Sequence, residues 1–448
     1  MFAEVMIARV GIARVTIARV LLAIAICVMT APLSHAVVSA KEYHFSGTPD
    51  GSEPDGALLS DGAGNFYGTT SSGGLASCGL STPFCGTVFK MSVGANGALT
   101  ETVLYKFQGI NDGASPAGAL IFDHSGNLYG TTVTGGNPAV CNGEGCGTVF
   151  KLSPNTNGTW TETVLARFLG STDVAQPALG VVMDSAGNLY GASQGGCIEE
   201  CNGTIFKLTP SSNGNWTESI LYTFMGGTDG GSPTPIVLDS AGNIFGTTFS
   251  GGGVCSCGSV FELSPPQSGT TSGTTWKKTV LYSFNDGLGG GSPSSGVIFD
   301  SAGNLYGTTY DGGSFACPQS GCGVVYRLAP ESSGWKFGVV YTFNGVNGSR
   351  GAQPSGGLTM DSAGDLYGTT SGGGNLTCNN GNGCGTVFKL SRETGNNFAF
   401  SKVFQFSGTT GSFPNTGVIV DSSGNLYGST FTGGNAKCNC GVVFALTP

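Results

Sequence analysis

One eight-residue phrase occurs seven times in the sequence. Asp-Ser-Ala-Gly-Asn-Leu-Tyr-Gly, or a close variant, begins at Asp61, Asp123, Asp184, Asp239, Asp300, Asp361 and Asp421. The intervals between these positions are 62, 61, 55, 61, 61 and 60 residues. A fixed period of this length indicates that one supersecondary unit is copied and stacked. The repeat therefore favours one closed domain over the two or three domains that 448 residues would otherwise allow.

Each repeat contains the pattern of four short strands. In the second repeat these are residues 119–122, 128–132, 147–152 and 160–168, separated by turns and by one longer loop. No stretch beyond residue 36 has a helical period of apolar residues. Seven units of four antiparallel strands predict an all-β, seven-bladed β-propeller. A β-solenoid is the alternative, but it would have shorter coils and capped ends.

The two ends of the repeat region are complementary. The seventh repeat supplies three strands within residues 415–448 and lacks a fourth. Residues 41–46 resemble the end of a fourth strand, such as Leu104-Tyr105-Lys106-Phe107. We therefore expect residues 41–46 to complete the last blade and remove its open edge.

The first 36 residues differ from the rest of the chain. Arg9, Arg14 and Arg19 precede an apolar run at residues 20–29, and Ser34-His35-Ala36 has the form of a cleavage site. This pattern predicts a secretory signal peptide, followed by a single domain over residues 37–448. A retained membrane anchor is the alternative, although the apolar run is short for a membrane span.

The charge balance of the predicted mature chain is acidic. Removal of residues 1–36 leaves 15 basic and 26 acidic residues. Without a Lys/Arg patch to neutralise phosphates, nucleic acid and anionic membrane surfaces are not expected partners. The histidines are equally sparse, because only His44 and His124 remain.

Fourteen of the 15 cysteines follow the leader, two in each repeat. The pairs are Cys78 and Cys85, Cys141 and Cys146, Cys197 and Cys201, Cys255 and Cys257, Cys317 and Cys322, Cys378 and Cys384, and Cys438 and Cys440. An even count behind an export signal predicts local disulfides. Zinc is the competing hypothesis, but it needs four ligands and each loop offers two. The two Cys-x-Cys pairs have the tightest geometry for a bridge.

Three blocks recur in order through the chain: Gly-Asn-Leu-Tyr-Gly-Thr-Thr, Gly-Thr-Val-Phe-Lys-Leu and Val-Leu-Tyr-Ser-Phe. Together they resemble the GloVer tandem repeat, named for Gloeobacter and Verrucomicrobia, over essentially all of residues 41–448. The resemblance implies bacterial export and a repeat-built β-structure. It supplies no catalytic residues. Some relatives end in a surface-anchoring tail, which this sequence lacks after its last strand, so a secreted or periplasmic protein is expected.

Candidate binding residues lie where the repeats differ. In a propeller, the loops between second and third strands share a face with the blade-to-blade connections, and ligands usually bind there. The residue after Gly-Thr-Thr varies and includes aromatic side chains that can stack on a sugar or peptide. Acidic residues occur in the connections. The candidate ligand-binding residues are Gln194, Phe249, Tyr310, Asp311, Phe431, Asp112, Asp229 and Asp286, and turn or packing roles are the alternative for each.

No metal, cofactor or catalytic set is predicted. The seven turns of the Asp-x-x-Gly-Asn type are rich in oxygen, but six offer one acid and the sixth offers two, Asp361 and Asp365, whereas a calcium loop gathers several. No Ser-His-Asp arrangement or histidine cluster can be assembled. The leading hypothesis is an exported, monomeric binding module for an extracellular glycan or protein. The alternatives are a carboxylate-dependent polysaccharide hydrolase or lyase, and a structural protein of the envelope.

Overall fold

The computed structural model describes residues 39–79, 85–170, 172–197, 202–266, 275–314, 316–317, 321–345 and 350–447. The predicted leader, residues 1–36, lies outside these ranges. Ala40–Thr447 form one compact unit. Within the described ranges, no helix is long and apolar enough to span a membrane, and the helices are three single 3-10 turns at Cys141–Gly143, Gly227–Asp229 and Asn379–Gly381.

The chain forms seven four-stranded antiparallel blades, which confirms the predicted seven-bladed propeller. We call the strands of a blade inner, second, third and outer, in chain order. Blade one has a split inner strand (Ser52–Pro54 and Leu59–Ser60), then Asn65–Ser72, Thr87–Val93 and Leu99–Lys106. Blade two contains Ala114–Phe122, Leu128–Thr134, Thr148–Pro154 and Trp160–Arg167. Blade three contains Val181–Met183, Leu189–Ser193, Thr204–Pro210 and Trp216–Thr223.

Blade four repeats the split inner strand, with Gly231–Pro233 and Val237–Leu238, then Ile244–Ser250, Ser259–Ser264 and Lys277–Ser283. Blade five contains Ile298–Phe299, Leu305–Thr309, Val324–Glu331 and Gly334–Thr342. Blade six contains Thr359–Met360, Leu366–Thr370, Thr386–Arg392 and Phe398–Gln405. Blade three also carries a separate two-stranded ladder, in which Thr172–Ala175, before its inner strand, pairs with Gly195–Cys197, after its second strand.

Blade seven is closed by the N-terminal strand. Ile419–Val420, Leu426–Thr430 and Val442–Thr447 are its first three strands, and Ser39–His44 pairs beside Val442–Thr447 as the fourth. The strand therefore begins two residues before the predicted segment and ends two residues before its end. Phe45, directly after it, is fully buried in the contact with blade one. The ring thus joins its two ends by backbone pairing and by a core side chain.

The blades are joined by a sevenfold set of aromatic pairs. The aromatic residue after each outer strand packs against the third-strand aromatic residue of the next blade, with 5.1–5.3 Å between ring centroids. Phe107 and Phe150 are one such pair, and both are fully buried. A Cβ on Gly130 would lie 2.6 Å from the Phe150 ring. The Tyr-Gly-Thr-Thr and Thr-Val-Phe blocks recur because each blade needs the third-strand aromatic ring and a glycine that leaves space for that ring.

The Asp-x-x-Gly-Asn turns use their polar atoms internally. In the first, Asp61 Oδ1 accepts hydrogen bonds from the backbone N–H groups of Ala63 and Asn65, and Oδ2 accepts one of 2.7 Å from the Asn65 side chain. Burial alone would raise the pKa of Asp61, but these donors and Lys90 lower it. The repeated aspartates therefore hold the turns between inner and second strands.

Candidate functional site

The cysteine-loop face is held together by disulfides and by hydrogen bonds between blades. Six of the predicted pairs are bridged: Cys78–Cys85, Cys141–Cys146, Cys255–Cys257, Cys317–Cys322, Cys378–Cys384 and Cys438–Cys440. The seventh predicted pair, Cys197 with Cys201, falls outside the described residues at Cys201. Short bridged loops restrict the unfolded chain and fix the loops on this face. The bridges are also consistent with an exported protein.

A left-handed residue precedes the inner-strand proline in every blade. These residues are Glu53, Ser115, Gln176, Ser232, Ser292, Gln353 and Phe413, with φ between 50° and 58°. The backbone N–H of Phe413 donates to the carbonyl of Cys384 in the preceding blade at 3.1 Å, and six blades share this bond to a second cysteine. In blade four the acceptor is Asn202, the residue after Cys201. The cysteine loop of one blade thus holds the inner strand of the next.

The predicted aromatic positions lie beside these residues with a left-handed backbone. The backbone N–H of Tyr310 donates to the carbonyl of Ser292, and that of Phe431 donates to the carbonyl of Phe413, both at 3.1 Å. Phe431 and Tyr310 are half-buried, whereas Phe249 is 42% exposed and Gln194 is exposed. The structure therefore places Tyr310 and Phe431 next to the left-handed residues, which also vary from blade to blade and which the sequence analysis missed.

The predicted connection aspartates make internal hydrogen bonds. Asp112 is buried and accepts from the Tyr105 hydroxyl at 2.6 Å and from the backbone N–H of Gln108. Asp229 accepts from the Tyr222 hydroxyl, from the backbone N–H of Met225 and from the Lys278 ammonium group. Ligand binding by either aspartate stays a prediction. The visible role of both carboxylates is to close the connection between blades.

Asp286 differs from the other connection aspartates. Its Oδ1 is buried without a hydrogen-bond partner in the described part of the chain, and its backbone is left-handed at φ 57°. Burial, and then the charge of Asp311, raises the pKa of Asp286. Burial raises the pKa of Tyr310, and the charge of Asp311 adds to this effect, whereas a hydrogen bond with Ser371 opposes it. Three of the predicted site residues therefore come together at blade five.

A cleft of about 520 Å³ lies between the cysteine loops of blades six and seven. Its polar walls are neutral, and they include Asn379, Thr409, Ser412, Thr432, Asn435 and Asn439. Phe413 supplies an aromatic wall. Within the described part of the chain, the side chain of Asn379 is exposed and makes no hydrogen bond, while the Oδ1 atoms of Asn435 and Asn439 accept from backbone N–H groups. The amide nitrogens of these two side chains remain available as donors.

Metal binding gains no support from the site geometry. Across the ranges that the structure describes, no group of three or more His, Cys, Asp or Glu side chains is arranged to hold a metal ion. The calcium hypothesis gains little from the turns themselves, because six of them contain one acid each, and the second acid of the sixth turn, Asp365, forms an ion pair of 2.7 Å with Lys389. The carboxylate oxygens of these turns already accept several hydrogen bonds each.

Seven blades around a channel, with disulfide loops on one face, define a seven-bladed β-propeller of the repeat-built class. The chain belongs to the Gloeobacter/Verrucomicrobia repeat family, whose model matches residues 31–197, 139–349 and 248–448. The resemblance seen in the sequence is therefore confirmed. No curated protein matches the sequence.

Among solved structures, the chain is similar to PorZ of Porphyromonas gingivalis, described as an essential bacterial surface component of the type-IX secretion system. The two share 15% sequence identity and a TM-score of 0.44, over 92% of this chain and 48% of PorZ. The chain thus spans about half the length of PorZ.

Proposed function

We propose that the protein is an exported binding module and that the cleft between blades six and seven binds a neutral, hydroxyl-rich ligand such as an extracellular glycan. The observation that carries this proposal is the lining of the cleft, which combines uncharged amides and hydroxyls with one aromatic ring. Sugars offer hydroxyl groups to such amides and an apolar ring face to an aromatic side chain. A charged ligand would find no countercharge among the described lining residues.

The rigidity of the walls supports the same proposal. The Cys378–Cys384 bridge fixes one wall, and Cys438–Cys440 fixes the loop that carries Asn435 and Asn439. Ser412 and Thr432 also line the cleft, and their hydroxyl groups form a hydrogen bond of 2.9 Å with each other. A site whose loops are already ordered loses less entropy when a ligand binds.

A glycan array with the purified protein, followed by calorimetric titration of the best hit, tests the proposal. Asn379→Ala and Phe413→Ala should each weaken binding about three- to tenfold, the range expected for one lost hydrogen bond or ring contact. Asn142→Ala is the matched control, because Asn142 is an exposed left-handed asparagine in the cysteine loop of blade two. Binding that survives both cleft substitutions would place the ligand elsewhere.

A carboxylate-dependent hydrolase is the second candidate, and the Asp286 and Asp311 pair favours it. Acid–base hydrolysis needs two carboxyl groups that hold their protons differently. Burial and Asp311 raise the pKa of Asp286, as such a pair requires. Turnover of a polysaccharide that Asp286→Asn abolishes, and Asn379→Ala does not, would support this function over simple binding.

A further inference from the structure

The inner strands of all seven blades surround a cavity of about 480 Å³. This central channel is lined by the irregular middle of each inner strand, where residues such as Gly56 and Gly118 occur. A Cβ on Gly56 would lie 2.2 Å from the carbonyl oxygen of Gly118, so glycine is required where neighbouring strands touch. The volume lies within the range of ordinary small-molecule sites.

Asp55 is the one ionisable side chain among the described residues of this wall. The residue after the inner-strand proline is Asp55 in blade one, and it is Ala117, Ala178, Thr234, Ser294, Ser355 or Asn415 in the others. The hydroxyls of Ser294 and Ser355 donate to the carbonyls of Pro354 and Pro414 in the next blade. These two side chains are therefore satisfied by neighbouring strands, whereas Asp55 places a carboxylate in the channel.

The Asp55 carboxylate is poorly compensated within the fold. Asn415 Nδ2 donates a hydrogen bond of 3.1 Å to Asp55 Oδ1, and it is the only side-chain donor to Asp55 among the described residues. Burial raises the pKa of Asp55 to about 6 despite this bond, and the charge of Glu53 adds to the effect. A desolvated carboxylate of this kind gains much from a cationic donor.

Asn415 leaves a second acceptor in the same place. Because Nδ2 must face the Asp55 carboxylate, Oδ1 points the other way, and this atom is buried without a partner in the described part of the chain. The wall thus offers Asp55 Oδ2 and Asn415 Oδ1 as acceptors, and neither has a hydrogen-bond donor among the described residues. No Lys, Arg or His occurs among its described lining residues.

Much of the remaining channel wall is apolar. Leu58, Leu179, Val237, Ile298, Val418 and Ile419 contribute to its lining. A bare divalent cation does not fit this composition, because calcium and magnesium sites gather several oxygen ligands and more than one acid. A group that donates several hydrogen bonds, carries one positive charge and has a hydrocarbon body matches both parts of the wall.

We propose that the central channel binds a small organic ammonium ion, with the ammonium group donating to the Asp55 carboxylate beside Asn415 and its hydrocarbon part against the apolar wall. This site is separate from the cleft between blades six and seven. Blade one, which differs from the other blades at the residue after the proline, supplies the Asp55 carboxylate. Blade seven supplies the Asn415 amide. The site therefore forms only when the ring is closed between blades seven and one.

Calorimetric titration of the full-length protein with n-hexylammonium chloride, and with 1-hexanol as the neutral match, tests the proposal at pH 8. The ammonium ion should bind at least about tenfold more tightly than the alcohol, because hexanol has no positive charge to pair with the Asp55 carboxylate. Asp55→Asn should abolish this preference, and thermal unfolding verifies that the variant is folded. Asn379→Ala, in the other cleft, should leave it unchanged.

The pH dependence of the wild-type protein provides a test that needs no variant. Between pH 8 and pH 5 the Asp55 carboxylate becomes protonated, so the preference for hexylammonium over hexanol should fall several-fold. Glu53 is the other acid whose charge acts on Asp55, and hexanol at each pH corrects for changes in the protein that do not depend on the charge of the probe. Equal affinity for both probes, binding of neither, or stabilisation by calcium or sodium chloride but not by hexylammonium would overturn the proposal and leave Asp55 and Asn415 as a structural contact.

Discussion

Tyr326 packs edge-on against Phe284 across the boundary between blades four and five, with 5.2 Å between ring centroids. The other six blades carry phenylalanine at the position of Tyr326. The Tyr326 side chain is fully buried, and its hydroxyl has no hydrogen-bond partner in the described part of the chain. Blade five therefore buries a hydroxyl group to which the aromatic pairing common to the seven blades offers no hydrogen bond.

Tyr326→Phe should stabilise the protein. The substitution removes an unsatisfied buried hydroxyl and retains the ring, so the free energy of unfolding should rise by about 1–3 kcal/mol. Urea unfolding measures the change. The reverse substitution in blade three, Phe206→Tyr, should lower the free energy of unfolding by a similar amount. A loss of stability in Tyr326→Phe would show that the hydroxyl has a partner such as bound water.

The recurring Gly-Thr-Val-Phe and Val-Leu-Tyr-Ser-Phe blocks contain the aromatic residues that pair between blades, but the repeat predicted neither the pairs nor the conformation of the residue before each proline. A proline recurs once per repeat, so a sequence marker was present. The residue before proline is normally extended, however, and nothing local indicates φ near +57° at Gln353. The bond from its N–H to the carbonyl of Cys322 in the preceding blade supplies the reason, and that contact exists only when two consecutive blades pack together.

The candidate sites were predictable to different degrees. Variable aromatic positions such as Phe431 were found because the repeats differ there, and the structure places Phe431 beside the cleft residue Phe413. The same comparison of repeats at the residue after the proline would have found Asp55. Its environment was not predictable, because the burial of Asp55 and the orientation of Asn415 depend on seven inner strands converging around one channel.

Gln353→Gly should stabilise the protein despite the flexibility of glycine. A side chain in the left-handed region costs roughly 1–2 kcal/mol that glycine avoids, partly offset by the larger entropy of the unfolded chain, so a net gain of about 0.5–1 kcal/mol is expected. The backbone bond to Cys322 is retained. Gln108→Gly, at an exposed residue without a positive φ, should instead destabilise the protein. Equal effects in chemical denaturation would contradict the strain at Gln353.

Stability should fall as the pH rises from about 5 to about 8. Burial, followed by the charges of Asp50 and Asp112 respectively, raises the pKa of Glu101 and Glu162 from 4.5 to about 7. The folded protein therefore binds these protons more tightly than the unfolded chain does. The resulting stabilisation is fully present below about pH 4.5 and is lost as the pH rises through 7.

The double variant Glu101→Gln and Glu162→Gln should show a smaller fall in melting temperature between pH 5 and pH 8. Lys106 and Arg167 oppose the shifts but do not cancel them. Asp55, whose pKa burial raises to about 6, should keep part of the slope in the variant. Glu393→Gln, at an exposed turn, is the control and should follow the wild type. An unchanged slope in the double variant would assign the pH dependence to other groups.

The ion pair of Lys278 should contribute more to the free energy of unfolding than an ion pair of an exposed lysine. Its side chain is 6% exposed, and Nζ lies 2.9 Å from Asp229 Oδ1 and 4.9 Å from the centre of the Phe224 ring. Burial alone would raise the pKa of Asp229, but hydrogen bonds from Lys278, Tyr222 and the Met225 backbone lower it. Removal of the ammonium group leaves a partly buried carboxylate with fewer donors.

Lys278→Ala should therefore lower the free energy of unfolding by about 2 kcal/mol at pH 7, as measured in urea. Lys336→Ala is the matched control, because Lys336 and Glu331 are 69% and 48% exposed and their 3.5 Å ion pair should contribute less than about 0.5 kcal/mol. The deficit of Lys278→Ala should shrink as the pH falls and Asp229 becomes protonated, since the unpaired charge is then removed. A deficit that does not change with pH would assign the loss to packing against Phe224 rather than to the ion pair.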